Sequence, residues 1–227
     1  MKKVILAAIA VFAFGFSNAQ DVKFGAKAAL NIANLTGDLE DNSSLIGFQV
    51  GAFAEFKFSE KFSFQPELLY STQGAKTSYS EDYSQELRGQ SFAKAVVDTS
   101  SNNYSENYSN TYKLSYLTIP LMLKYYATPK FNVEVGPQIA FLLSAKDDYS
   151  YENSEGDAES GSEDMKEFTS ALDFSLNFGL GYDITENIVA GLRYNLGLLN
   201  VADDDNVEEI DYTIKNNVFS VSVGYKF

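Results

Sequence analysis

The residues of this sequence best suited to chemistry are carboxylates. Asp203, Asp204 and Asp205 stand in one run, and Asp157, Glu159, Glu163 and Asp164 gather in another stretch. Carboxylate oxygens are the ligands that hard divalent cations take, so both stretches are candidate cation sites, although neither has the spacing of an EF-hand loop. A second set mixes signs. Lys23, Lys27, Lys57, Lys124, Arg193 and Lys226 occupy the polar face of their segments, together with Glu55, Glu67, Glu134, Asp173 and Asp183. Charges on one face that is shielded from water must pair, because an unpaired buried charge is very costly.

The common routes of catalysis lack their side chains. The chain contains no His and no Cys, hence no imidazole base, no Ser-His-Asp triad, no thiol nucleophile, and neither of zinc's usual nitrogen and sulfur ligands. The glycines of GLGYD (179–183) fall in a strand pattern rather than at a strand-to-helix turn, so they make no nucleotide loop. Neither an enzyme nor a bound cofactor is expected.

The elements that must position these residues are strands. Apolar and polar residues alternate with period 2 near 22–33, 45–58, 62–73, 112–126, 131–144, 171–184, 187–199 and 217–227. Between the second and third, fourth and fifth, and sixth and seventh segments lie only a few residues. The other connections are long and polar, near 34–44, 74–111, 145–168 and 201–215. In an up-and-down meander alternate connections share an end, so long loops crowd one rim and short turns the other, the pattern of outer-membrane barrels.

Export is legible at the N-terminus. Lys2 and Lys3 precede an apolar run from Val4 to Phe16 and the small residues Ser17-Asn18-Ala19, which predicts a signal peptide over 1–19 and a mature domain over 20–227. The run is short of the roughly 20 residues a spanning helix needs. Any membrane crossing is therefore made by strands.

Glycine decides which face is inside. Gly25, Gly47, Gly51, Gly136, Gly179, Gly181, Gly191, Gly197 and Gly224 all fall on the polar face. Gly weakens a strand with nothing in return on a solvated surface, whereas the interior of a narrow barrel needs space beside long side chains. The expected fold is an all-β, eight-stranded antiparallel up-and-down transmembrane barrel with a polar, side-chain-filled interior. The alternative, a soluble secreted barrel around a small apolar ligand, would invert the faces. Aromatics crowd the short-turn rim on the apolar face (Phe24, Phe56, Phe58, Phe62, Phe64, Tyr125, Phe131, Tyr182, Tyr225, Phe227), as in an interfacial girdle. The terminal alternation through Tyr225 and Phe227 resembles the signal by which such barrels are recognised for assembly. Pro66, Pro120 and Pro137 lie inside strands, which predicts local bulges.

The stretches GFQVGAFAEFKFSEKFSFQPELLYSTQG (47–74), LSYLTIPLMLKYY (114–126), VEVGPQIAFLL (133–143) and LNFGLGYDITENIVAGLRYNLGLLNV (176–201) resemble the PorT-like family of small outer-membrane barrels. The phrases QPELLYS and IPLMLKYY carry most of the likeness. The resemblance implies architecture and an outer-membrane location, places the three prolines where the family commonly has them, and supplies no catalytic residues. It also implies a second role, an accessory component of a protein secretion system.

The four long connections hold 23 of the chain's 31 acidic residues against six of its 17 basic ones. Such a rim repels phosphate, so nucleic acid is not an expected partner. Solvation of the loops, cation binding and docking of a basic partner remain open readings. Tyr79, Tyr83, Tyr104, Tyr108 and Tyr112 are available as contact area or as scattered loop residues. Expected partners are outer-membrane lipid, the barrel-assembly machinery and secretion-system proteins. The expected function is a non-enzymatic envelope-structural or surface interaction role through the acidic loops.

Overall fold

The computed structural model describes residues 21–38, 42–84, 103–153, 157–202 and 213–227. The expected signal peptide over 1–19 and Asp203, Asp204 and Asp205 lie outside the described residues. Among the described residues nine antiparallel strands run β1 (Asp21–Gly37), β2 (Asn42–Lys57), β3 (Phe62–Ser84), β4 (Asn103–Tyr126), β5 (Phe131–Asn153), β6 (Ala158–Asp164), β7 (Leu172–Asp183), β8 (Ile188–Gly197) and β9 (Ile214–Lys226). Eight of them close a ring in the order β1-β2-β3-β4-β5-β7-β8-β9, with β9 returning to β1, while β6 pairs only with β5 beyond the ring. The meander expected from the alternation is the fold observed.

Each short turn uses the same device. Ser59, Thr128 and Thr185 each accept two backbone N–H groups, the nearer of them at 2.9 to 3.0 Å, from the two and three residues that follow. A hydroxyl at the start of a tight turn takes amides that the strand ladder cannot reach. The C-terminus is held by the ladder itself: the Phe227 N–H donates to the Phe24 carbonyl at 2.8 Å, and the Phe227 ring lies outward against Tyr225, 5.6 Å between centroids.

The apolar face points out. On β5 the outward residues Val133, Val135, Ile139, Phe141 and Leu143 are exposed while Asn132, Glu134, Gln138 and Ala140 are buried, and the other strands repeat the scheme. From Phe131 to Leu143 the strand covers roughly 40 Å, or about 30 Å of height at a tilt near 40°, the thickness of a bilayer core. The girdle residues stand at the short-turn rim, Phe24 at 62% exposure and Phe227 at 76%, with Phe58, Phe62 and Tyr125 in a chain of ring contacts. A soluble barrel around an apolar ligand would have these faces reversed.

Two expectations are corrected. The predicted bulges are not at the prolines: pairing skips two positions beside Pro66, Pro120 and Pro137, yet the register on either side of each is unchanged. Each proline pairs in register with the next strand and turns its missing N–H toward the preceding one, so the lost bond costs no extra residue. Irregularities occur instead between Ser44 and Gln49 and between Ser115 and Tyr116. The second correction concerns the connections near 74–111 and 145–168. They are in good part strand: β3, β4 and β5 continue past the apolar band and, with β6, build a four-stranded sheet above the rim. Out of the bilayer neither face has to be apolar, so the alternation that marks a strand fades while the ladder continues.

Gly74 sits where β3 passes from barrel to protruding sheet. Its φ of +142° and the Tyr112 carbonyl, within 1.8 Å of where a Cβ would be, leave no room for any other residue.

Candidate functional site

The interior is filled in layers. At the short-turn end, Lys226 Nζ stands 2.9 Å from Glu55 Oε2 and 3.1 Å from Asp183 Oδ2; Ser63 donates to Glu55 at 2.9 Å, and the Tyr126 hydroxyl donates to the same carboxylate. At mid-height Arg193, 5% exposed, grips two carboxylates. It donates to both oxygens of Glu67 at 2.9 Å, and to Glu134 Oε1 from Nε at 2.9 Å and Nη2 at 2.7 Å. Lys27 adds a contact to Glu67 at 3.3 Å and Lys124 a looser one to Glu134 at 3.8 Å. Above these lies an amide and hydroxyl layer, in which Asn31 donates to Ser71 at 3.0 Å, Gln73 to Ser71 at 2.9 Å and Asn195 to Asn177 at 3.0 Å.

The glycines make this filling feasible. A Cβ on Gly25 would lie 2.3 Å from the inward ring of Phe53, and one on Gly179 would lie 2.6 Å from Glu134 Oε1. Small residues facing large ones around the lumen allow the layers to interdigitate.

Three of the eleven interior charges stand apart from ion pairs among the described residues. Lys57 lies over the Tyr126 ring at 5.4 Å, a cation–π contact, and Lys23 sits at the open short-turn mouth. Both are exposed to water there, so neither needs an acid. Asp173, buried higher up, also joins no ion pair. The expectation that all eleven pair is corrected at these positions.

The long-hairpin end is closed by an apolar cap. Leu35, Ala75, Leu114, Tyr116, Ala140, Leu142, Ala145 and Val201 form one buried cluster, packed by Tyr112, Met165 and Ile214. Backbone bonds hold the covering segments in place: Met165 N–H to the Ala145 carbonyl at 3.0 Å, Ser170 N–H to Val201 at 2.8 Å and Val201 N–H to Ile214 at 2.8 Å. Charges below and this cap above leave the described lumen without an open passage.

What remains available for work is the protruding sheet. Tyr79, Tyr108, Tyr151 and Glu159 are successive register partners across β3, β4, β5 and β6. Their rings form a ladder, Tyr79 on Tyr108 at 4.8 Å and 13° and Tyr108 on Tyr151 at 5.0 Å. Both oxygens of Glu106 are held beside the ladder, accepting from Tyr108 at 2.9 Å and Tyr151 at 3.1 Å. Tyr79 is 53% exposed, and a shallow recess of about 360 Å³ is lined mainly by the other face of the sheet, with Ser78, Ser80, Ser109, Ser150 and Ser160 among its residues. That face is small and polar, with Ser78, Ser109, Ser150 and Ser160 in register.

Sequence reasoning treats these tyrosines as scattered, because their alignment is set by strand register between residues tens of positions apart. Pairs of Tyr on neighbouring strands carry no local signal; an alternation of Tyr with Ser in 76–84 and 103–112 is the trace that points to strand. The carboxylates Asp157, Glu159, Glu163 and Asp164 are strung along β6 and its approach at about 3.3 Å per residue. Asp157 is engaged in the β5–β6 turn, its N–H on Asn153 Oδ1 at 2.8 Å. Among the described residues no three acidic groups gather into a cluster of cation-ligand geometry.

At the sheet's base Lys113 is bonded to Asp148, which holds that carboxyl below its ordinary range.

Residues 17–203 match a family described as outer membrane protein beta-barrel domain. No curated protein matches the chain. Solved structures similar to it include Neisserial surface protein A, at 14% identity and a TM-score of 0.47 over 92% of this chain and 100% of that one. Ail, the attachment invasion locus protein of Yersinia pestis, is similar at 11% identity and a TM-score of 0.40, over 91% and 97%. OprG from Pseudomonas aeruginosa shares 12% identity at a TM-score of 0.35, over 91% and 94%.

Proposed function

The chain belongs to the outer membrane protein beta-barrel domain family, and from that premise we propose that it is a non-enzymatic surface interaction protein. Its working part is the acidic sheet raised above the membrane, and its partner is a basic protein segment. The observation that carries this reading is the Tyr79–Tyr108–Tyr151 ladder with Glu106 and Glu159 along it. Aromatic faces beside carboxylates suit a guanidinium, which stacks on the ring and pairs with the acid. The surplus of acidic residues on the same rim draws such a partner in and sets its orientation.

The test is binding of an extended Arg-rich peptide, and of its Glu-for-Arg counterpart, to the folded full-length mature protein in detergent. The Arg peptide is expected to bind with an affinity that falls as salt rises, and Tyr79→Ala with Glu159→Gln is expected to weaken it roughly tenfold, the loss of one cation–π contact and one ion pair. Equal binding of the two peptides, or an unaffected double variant that keeps its folded gel mobility, sinks the proposal.

The PorT-like resemblance supports a second reading, an accessory part of a secretion machine. Its two most specific phrases, QPELLYS and IPLMLKYY, lie side by side on β3 and β4, the strands that carry the protruding sheet. Recognition of Tyr225 and Phe227 by the barrel-assembly machinery belongs to the same reading of how the protein reaches its membrane.

A further inference from the structure

On β3, β4, β5 and β9 the outward apolar band is followed, at the long-hairpin rim, by lysine. The outward residues of β5 run Ile139, Phe141, Leu143 and then Lys146; those of β4 run Ile119, Leu117, Ser115 and then Lys113. On β3 the order is Leu68, Tyr70, Thr72, Gly74, Lys76, and on β9 it is Val221, Phe219, Asn217, Lys215. Lys113 and Lys146 are register partners on adjacent strands. Lys166, in the short 3-10 turn after β6, donates to the Leu143 carbonyl at 3.1 Å, so its ammonium lies at the last apolar step of β5. Phe168 of the same turn is exposed beside it. The first outward charge of β1 is instead Asp38, whose carboxylate is occupied by the Thr213 N–H at 2.8 Å.

This ordering runs against the charge of the chain, which has 31 acidic residues to 17 basic ones. The opposite rim shows no such bias, since its turns carry Glu60, Lys61, Lys130 and Glu186. A cation placed where hydrocarbon gives way to headgroups reaches into the headgroup layer while its stem stays on apolar surface.

We propose that Lys76, Lys113, Lys146 and Lys166 form a binding surface for the phosphate of an anionic lipid in the outer leaflet, with its acyl chains lying on Phe141, Leu143 and Phe168. Lys113 exchanges Asp148 for the phosphate or shares the two, since its side chain is 55% exposed. The acidic sheet above and the lysines below thus divide the external surface into a part that meets a partner and a part that meets lipid. This surface does not depend on the identity of that partner.

The test is native mass spectrometry of the full mature protein in neutral detergent, with dioleoyl phosphatidic acid or dioleoyl phosphatidylcholine added. The wild type retains phosphatidic acid over phosphatidylcholine. The variant Lys113→Gln/Lys146→Gln/Lys166→Gln binds phosphatidic acid roughly a hundredfold more weakly, at about fivefold per lysine. The inner-rim variant Lys61→Gln/Lys130→Gln behaves as wild type, and inorganic phosphate at the lipid's concentration displaces nothing. Folded gel mobility is checked for each, with Lys166→Gln alone as the milder variant. Retention by the outer variant, an equal loss in the inner-rim variant, or displacement by inorganic phosphate overturns the proposal.

Discussion

Replacing Arg193 by Met lowers the unfolding free energy by about 3–5 kcal/mol, read from denaturant titration of the protein refolded in lipid vesicles. The guanidinium is the shared partner of Glu67 and Glu134, which approach it from β3 and β5. Without it two buried carboxylates face each other, served only by Lys27 at 3.3 Å and Lys124 at 3.8 Å. The size of the loss comes from what is left behind rather than from the pair itself, because a buried ion pair roughly breaks even against apolar groups of the same volume. A second variant separates the two causes. Glu67→Gln/Glu134→Gln in the Arg193→Met background removes the stranded charges, and it recovers more than half of the loss. Lys27→Met alone is milder, since Glu67 keeps both bonds from Arg193. A loss below about 1 kcal/mol for Arg193→Met, or no recovery in the triple variant, contradicts the reading of the lumen as a charge-paired core.

The other large effect is expected on the outer face. Leu192 lies midway along the outward side of β8, between Leu180 and Val221 on its neighbours. Leu192→Arg costs about 2–4 kcal/mol if that position is near the bilayer midplane, the range for a basic residue on the lipid face of a barrel. On a water-facing surface the same change stays within about 0.5 kcal/mol. The two environments are thus separated by several times the error of the measurement. Ser160→Arg, on the small polar face of the protruding sheet, serves as the water-facing comparison and is expected to be neutral. A neutral Leu192→Arg would mean that the apolar face is not in lipid.

The barrel itself was legible because one face of every spanning strand is apolar, and period-2 alternation is the signature of that constraint. The glycines were equally informative: Gly25 beside Phe53 and Gly179 beside Glu134 mark an interior that is full rather than solvated. Legibility stopped where the lipid does. Past the band Ser and Tyr alternate with no apolar face, and strands β3, β4 and β5 continue on ladder bonds that leave little trace in hydropathy. The Tyr ladder is built by long-range register, Tyr79 with Tyr108, and the apolar cap gathers Leu35 and Val201 from distant segments, so no window of sequence contains either. Prolines misled for a related reason. A strand pattern shows that an N–H is missing, but whether the chain adds a residue or lets the ladder lapse is decided by the neighbouring strand.

The central claim is that this barrel is sealed and acts by its surface, and conductance across a planar lipid bilayer tests it most directly. The described lumen holds the Arg193 cluster at mid-height and the Leu35–Val201 cap above it, and wide aqueous channels need roughly 16 strands. The purified, refolded protein should insert without producing steps in the range of a diffusion porin. Stable porin-sized openings that persist in the pure protein would contradict the account, because a lumen that passes solute cannot be filled and capped as described.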